Sequence, residues 1–291
     1  MADYLTLRGP GSTMDRLKED PMRTSALALL AILAGCSTGG NLAAIPREKI
    51  EWAAAPGLVT GMQTSTQWGD PATGPYQALI KFPAGAVVPP HFHKIDEFAT
   101  VASGAVVFGQ GDTIDESKGV EVSAGGYVTI PGGTAHWARC VKDAVIVRFA
   151  PGPRDLTYLK DGAKAPGTSP MKIVQAKDVP WEQSPGMVKG VMTVLQYGDP
   201  TKGPYIILLK FPKDLPNPPH YHSADEIVTI LSGRMITGEG RTVDEAAGKV
   251  VDAGGYFIIP GHTPHWGRAT EDVVLTRLGN GPRDIFYFDK K

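Results

Sequence analysis

The chain has 291 residues, 29 lysines and arginines against 30 aspartates and glutamates, and a formal net charge of −1. Its pI is near 6.7, and neither half carries a basic cluster, so the electrostatic footprint of a nucleic-acid-binding protein is absent and a small-molecule substrate is expected. The length is enough for two domains of ordinary size.

Residues 1–44 read as a leader and tether. Met22-Arg23 followed by the apolar run from Ala26 to Ala34 has the form of a secretory signal, and Leu33-Ala34-Gly35-Cys36 resembles the lipobox of bacterial lipoproteins. That resemblance implies cleavage before Cys36 and lipid on its thiol. With Ser37 next, it further implies an exported protein anchored in the bacterial envelope, at the outer membrane, that touches membrane only through this lipid. The apolar run is too short to span a bilayer as a helix. Acidic Asp15, Glu19 and Asp20 precede it where a basic stretch belongs, which marks Met22 as the natural start. The alternative is a cytoplasmic protein with an apolar leader. If Cys36 is lipidated, Cys140 has no partner for an intramolecular disulfide.

The rest of the chain is a duplication: the domain at 45–158 recurs, at an offset of 129, within the domain at 173–291, and a Gly-, Pro- and Ser-rich linker at 159–172 separates them. Trp52 matches Trp181, Gly69-Asp70-Pro71 matches Gly198-Asp199-Pro200, and Gly152-Pro153-Arg154-Asp155 matches Gly281-Pro282-Arg283-Asp284. Six of the seven histidines obey the same offset. His91, His93, Glu97 and His136, spaced by two, four and 39 residues, return as His220, His222, Glu226 and His265.

Three imidazoles and a carboxylate are a ligand set for Mn, Fe, Co, Ni, Cu or Zn, and the lack of thiolates argues against a closed structural zinc or an iron–sulfur cluster. One divalent metal per domain is expected. A carboxylate at Glu97 or Glu226, each followed by an apolar run, needs such a partner.

The spacing also constrains the fold. Residues two apart share a face only in extended chain, and Pro89-Pro90 and Pro218-Pro219 disfavour helix. Glu97 would lie on the order of 20 Å from His91 on one straight strand at ~3.3 Å per residue, so a turn is expected at Lys94-Ile95-Asp96. A second strand then runs from Glu97 to the turn at Gly104, and His136 closes the site from another strand. Short β-branched and aromatic runs broken by Gly and Pro fill the rest, which reads as an all-β antiparallel sandwich or jelly roll.

Gly85-x5-His91-x-His93-x3-Glu97-x6-Gly104 and Gly125-x5-Pro131-x-Gly133-x2-His136 match the two motifs of the cupin superfamily. The second copy repeats them with Asp214 and His262 at two glycine positions, and the chain therefore resembles a bicupin. The resemblance implies two tandem double-stranded β-helix barrels and a metal site like those of quercetinase-type dioxygenases and oxalate decarboxylases. It implies a metal-dependent oxidoreductase of dioxygenase type on a small organic substrate, with Fe, Mn, Cu or Ni. A hydrolase or isomerase, for which Zn would serve, and a non-enzymatic binding module are the alternatives, and a homodimer is the expected assembly. The departures put turn geometry at Asp214 and His262 in question.

Further candidates follow from position. Glu97 and Glu226 could act as bases if displaced from a metal. His262, which has no counterpart, is a candidate acid or base at the mouth of the second barrel, or else a solvated turn residue. Tyr76 and Tyr205 face the barrel interior and are candidates for substrate contact. Trp137 and Trp266 face away from the ligands and read as packing residues, and Arg139 and Arg268 share that parity. Ligand-bearing strands flanked by Ala99, Val101, Val228 and Ile230 favour an aromatic or otherwise apolar substrate over oxalate.

Overall fold

The computed structural model describes residues 41–55, 57–160 and 162–288. Among them every extended element is a β-strand, and four 3-10 turns of three residues are the only helical elements. All of the strand pairings are antiparallel, apart from an isolated bridge between Thr134 and Gly167.

The first copy forms a ten-stranded sheet that wraps on itself through two long bent strands, Glu97–Gln110 and His136–Ala150. Gly104 therefore bends a strand where the sequence suggested an end. It sits at φ 76°, next to register shifts at Val101/Ser103 and Ser103/Ala105, and a Cβ there would lie 2.1 Å from the Asp143 carbonyl. Only glycine admits that approach. In the second copy the same strands break into Glu226–Ser232 with Arg234–Glu239, and His265–Ala269 with Val273–Gly279. Seven- and five-stranded sheets result.

Each barrel buries its own apolar core. Ile80, Phe82, Val106, Phe108 and Ile146 belong to the first, and Leu209, Phe211, Met235, Phe257 and Leu275 to the second. A third cluster joins the copies, with Leu79, Tyr127 and Val147 packed with Leu208, Leu231 and Tyr256. Polar bonds inside this contact come in matched pairs. Gln67 donates to Thr229 at 2.9 Å, and Gln196, its counterpart, donates to Thr100 at 3.0 Å. This is the reciprocal pattern of a two-fold contact, built within one chain.

The boundaries of the repeats are not the boundaries of the sheets. Strand Ala43–Ile45, at the head of the first copy, pairs with Tyr256–Ile259 of the second, and Lys172–Val174 pairs with Tyr127–Ile130 of the first. Each copy thus lends its leading strand to the other, and Leu42 is buried in the second barrel's core.

Asp214 and His262 keep the turns that glycine makes in the first copy. They adopt φ 61° and 64°, beside 81° at Gly85 and 77° at Gly133. A non-glycine residue in this left-handed region costs about 1 kcal/mol or more.

Candidate metal sites

The two prolines before each His-x-His hold the chain extended, and strand pairing sets His91 opposite His136 and His220 opposite His265. In each barrel the three histidines come together, with one ring nitrogen of each within 4.8 Å of the others. All six are buried.

Main-chain carbonyls fix which nitrogen faces inward. The Nδ1 of His91 donates to the Pro89 carbonyl at 2.7 Å, that of His136 to Thr134 at 3.0 Å, and that of His93 to Asp155. In the second barrel His220 Nδ1 donates to Pro218 at 2.6 Å, His265 Nδ1 to Thr263 at 2.9 Å, and His222 Nδ1 to Asp284. A carbonyl can only accept, so each Nδ1 serves as the donor and each Nε2 is turned toward the other ligands of its triad. Burial, reinforced by the neighbouring imidazoles, lowers His91 to about 3 and His220 to about 2, and burial lowers His136 to about 4. Imidazoles pre-aimed in this way fit a resident divalent metal in each barrel.

Glu97 stands at the same vertex. Its Oε2 lies 2.7 Å from His93 Nε2 and 4.0 Å from His136 Nε2. Glu226 Oε2 lies 3.2 Å from His222 Nε2 and 3.5 Å from His265 Nε2. The other oxygen of each carboxylate meets an arginine that sequence reasoning missed. Arg148 Nε is 3.1 Å from Glu97 Oε1, and its Nη2 donates to Oε2 at 3.2 Å. Arg277 Nε is 2.7 Å from Glu226 Oε1, close enough for an ion pair but not aligned as a hydrogen bond. Burial alone would raise the Glu97 carboxyl, but the Arg148 charge, with His93, holds it well below the usual carboxylate range. The signal was present in sequence, since an arginine at the inward parity of an apolar strand recurs as Arg148 and Arg277.

The Gly-Pro-Arg-Asp repeat also acquires a role. Besides the carbonyls that orient His93 and His222, the Asp155 carboxylate accepts from Lys94 N at 2.6 Å and Asp284 from Ser223 N at 2.9 Å. The motif ties the turn after each His-x-His in place.

Apolar side chains from Leu58, Met62, Phe82, Phe108 and Ile146 wall the first cavity, together with Arg148 and Arg154. The apolar surroundings expected from the sequence are there, but the two arginines, Arg148 beyond His136 on the same strand and Arg154 in the following segment, add polar groups it did not reveal. The second cavity is lined by Leu209, Phe211, Phe257 and Leu275, and adds Asn217 and Thr237 where the first has Val88 and Phe108.

Other candidates fall elsewhere. Tyr76 is buried behind the site, with its hydroxyl accepting from Arg148 Nη1, and Tyr205 packs over Arg277 at 5.9 Å. Neither lines a cavity, so they back the arginines and do not stand at a substrate surface. His262 is exposed, outside the lining of the second cavity, with its ring 6.1 Å from Tyr221. This is the solvated-turn position and not that of an acid or base in the cavity. Trp137 and Trp266 are buried against Gly109 and Gly238, where a Cβ would come within 2.1 and 2.5 Å of an indole. Arg139 and Arg268 pair with exposed Glu116 and Glu245 at 3.0 and 2.7 Å. Cys36 lies outside the described residues.

Residues 45–278 match the family DUF4437, described as a domain of unknown function. Among curated proteins no sequence matches. Solved structures share the fold at low identity. A candidate dioxygenase from Nostoc punctiforme aligns at TM-score 0.63 and 13% identity, over 86% of this chain and 88% of its own. The oxalate decarboxylase of Lactobacillus farciminis, solved as a formate complex, aligns at 0.54 and 10%, over 87% and 89%. The Bacillus subtilis oxalate decarboxylase, described with Mn(II) centres, aligns at 0.51 and 15%, over 87% and 80%. The chain is thus a cupin-fold protein of bicupin type with two histidine triads that could bind metal.

Proposed function

Since the chain belongs to the domain family DUF4437, whose function is open, we propose from its sites that it is a metal-dependent oxidoreductase of dioxygenase type acting on a small organic molecule. The observation that carries this reading is the bonding of all six Nδ1 atoms to main-chain carbonyls, which turns the six Nε2 atoms toward one another in two triads, each beside a buried carboxylate and a largely apolar cavity. A histidine with only a packing role has no need of that uniform bonding. The structural likeness to a candidate dioxygenase and to Mn(II)-containing oxalate decarboxylases supports the reading at the level of the fold.

His91, His93, His136 and Glu97 would hold one metal, and His220, His222, His265 and Glu226 the other. A Mn, Fe, Cu or Ni ion bound there would supply Lewis acidity and redox chemistry. The protein's own contribution is positional. Arg148 engages both oxygens of Glu97, Oε1 through Nε and Oε2 through Nη2, and so holds the carboxylate with Oε2 toward the histidines. That engagement of both oxygens favours a ligand role for Glu97 over a mobile base. The walls of Phe82, Phe108 and Ile146 exclude water from the reacting groups and accept an apolar substrate body.

The test is metal content by mass spectrometry on protein reconstituted with Mn, Fe, Cu, Ni or Zn, followed by oxygen uptake with phenols and β-diketones. Close to two equivalents of a redox metal with substrate-dependent oxygen uptake is the expected result. A requirement for zinc with no oxygen uptake would move the assignment to a hydrolase or isomerase, and no retained metal would remove the enzyme reading. The proposed setting is the bacterial envelope, with the mature chain starting at lipidated Cys36. Labelling by radioactive palmitate that vanishes in C36S would support this, and labelling unchanged in C36S would exclude it.

A further inference from the structure

The ligand sets of the two barrels match, but one strip of cavity wall beside them does not. In the first barrel Val88 and Phe108 lie on either side of Ala138, each paired with it in register on neighbouring strands, and all three line the cavity. Their counterparts in the second barrel are Asn217, Thr237 and Gly267, paired in the same register and again lining the cavity. Residues directly opposite on antiparallel strands project from the same face. Three adjacent apolar positions thus become an amide, a hydroxyl and a glycine together.

The fold leaves a hydrogen-bond acceptor on both polar residues. Thr237 donates its hydroxyl to the Trp266 carbonyl at 2.7 Å, so toward a ligand its Oγ1 can only accept. Asn217 Nδ2 lies 3.4 Å from His220 Nε2, which keeps the amide beside the histidine triad. Its Oδ1 is buried with no hydrogen-bond partner among the described residues, a state that a donating ligand relieves. A Cβ at Gly267 would meet only ordinary contacts, at 3.7 Å or more, the one to Thr237 Oγ1 being 4.0 Å. Packing therefore does not demand glycine there, and its effect is to leave room between the two acceptors.

We propose that the second barrel selects a small ligand bearing a hydroxyl that donates to Asn217 Oδ1 and Thr237 Oγ1, whereas the first barrel holds an apolar group at the same place, against Val88 and Phe108. The inference rests on the reading of both cavities as substrate sites beside a metal, and it assigns the two barrels different members of one ligand class.

Pyrogallol and 3-methylcatechol are the probes, because they share a metal-binding catechol head and differ by a hydroxyl against a methyl of similar size. They are titrated calorimetrically, without oxygen, into zinc-loaded protein, conditions that allow no oxidation. H93A leaves the second barrel to report alone, and H222A the first. In H93A pyrogallol is expected to bind about tenfold more tightly than 3-methylcatechol, as a site built to bond a hydroxyl predicts, and in H222A that preference should vanish or reverse. N217V in the H93A protein should remove most of the preference, and T237V a smaller part. V88N in the H222A protein should strengthen pyrogallol binding several-fold without strengthening 3-methylcatechol. If N217V lowers the unfolding midpoint, V88N carries the test.

The same preference in H93A and H222A, an equal loss of both probes in N217V at unchanged unfolding midpoint, no gain for pyrogallol in V88N, or failure of both probes to bind zinc-loaded protein would overturn the proposal. Zinc content measured on the same samples separates the two readings. Hydroxyl-selective binding by protein that retains no metal would remove the metalloenzyme reading and keep the polar strip, and full metal content without hydroxyl selectivity would do the reverse.

Discussion

His91, His93, Glu97, His136 and Arg148 in one barrel, and His220, His222, Glu226, His265 and Arg277 in the other, occupy matching positions with matching main-chain partners. The walls around them do not match. Val88 in the first cavity corresponds to Asn217 in the second, and Phe108 corresponds to Thr237. Groups whose orientation is set by backbone carbonyls and strand register are alike in the two copies, whereas groups that only fill space or meet a ligand differ. One fold therefore carries two sites with the same donors and differently lined cavities.

The largest test of this comparison is removal of a ligand. H93A should lower metal content by about one equivalent and leave the second barrel loaded, and H222A should do the converse, as a site short of one of its few ligands predicts. Loss of both metals in either variant would show that the barrels do not load independently. Next in size is R148M. It strands the buried Glu97 carboxylate, and unfolding in denaturant should show a loss of about 3–5 kcal/mol. R277M should cost less, because Arg277 is less well aligned with Glu226. E97Q combined with R148M should recover part of the loss, and no recovery would mean that the arginine matters by packing alone.

G109A and G238A probe the glycines beneath the tryptophans. Each should destabilise by about 1–3 kcal/mol through overpacking, more at Gly109, where the approach is closer at 2.1 Å against 2.5 Å. The smallest effect is at the strained turns. H262G should stabilise by about 1 kcal/mol, since glycine bears no steric cost at φ 64°. G133H should destabilise by a similar amount at the equivalent turn. Metal content unchanged in H262G would agree with the position of His262 outside the cavity, and a loss of metal would contradict it.

Much of the fold was legible because the duplication acts as an internal check. One His-x-His is weak evidence, but the same four residues at the same spacings twice, preceded by Pro-Pro each time, leave extended chain and a turn as the economical reading. Arg148 lies outside the motif around the last histidine, which contains Arg139 instead. Arg139 and Arg268 have outward parity and form exposed pairs, while the inward arginine lies twelve residues beyond His136 on the same bent strand. Tyr76 faces inward as expected, but the arginine stands between it and the cavity.

Periodicity, turn residues and ligand spacing are local properties, and from them the sequence by itself determined an all-β duplicated chain and two sets of candidate metal ligands. Which barrel each leading strand joins was decided only in three dimensions. Ala43–Ile45 and Lys172–Val174 are equivalent in pattern, and nothing in either shows that it completes the sheet of the other copy. The same holds for Arg154 and Arg283. Identical motifs leave them indistinguishable in sequence, and only the fold shows that Arg154 lines its cavity whereas Arg283 bonds to Ser184 and does not line the other.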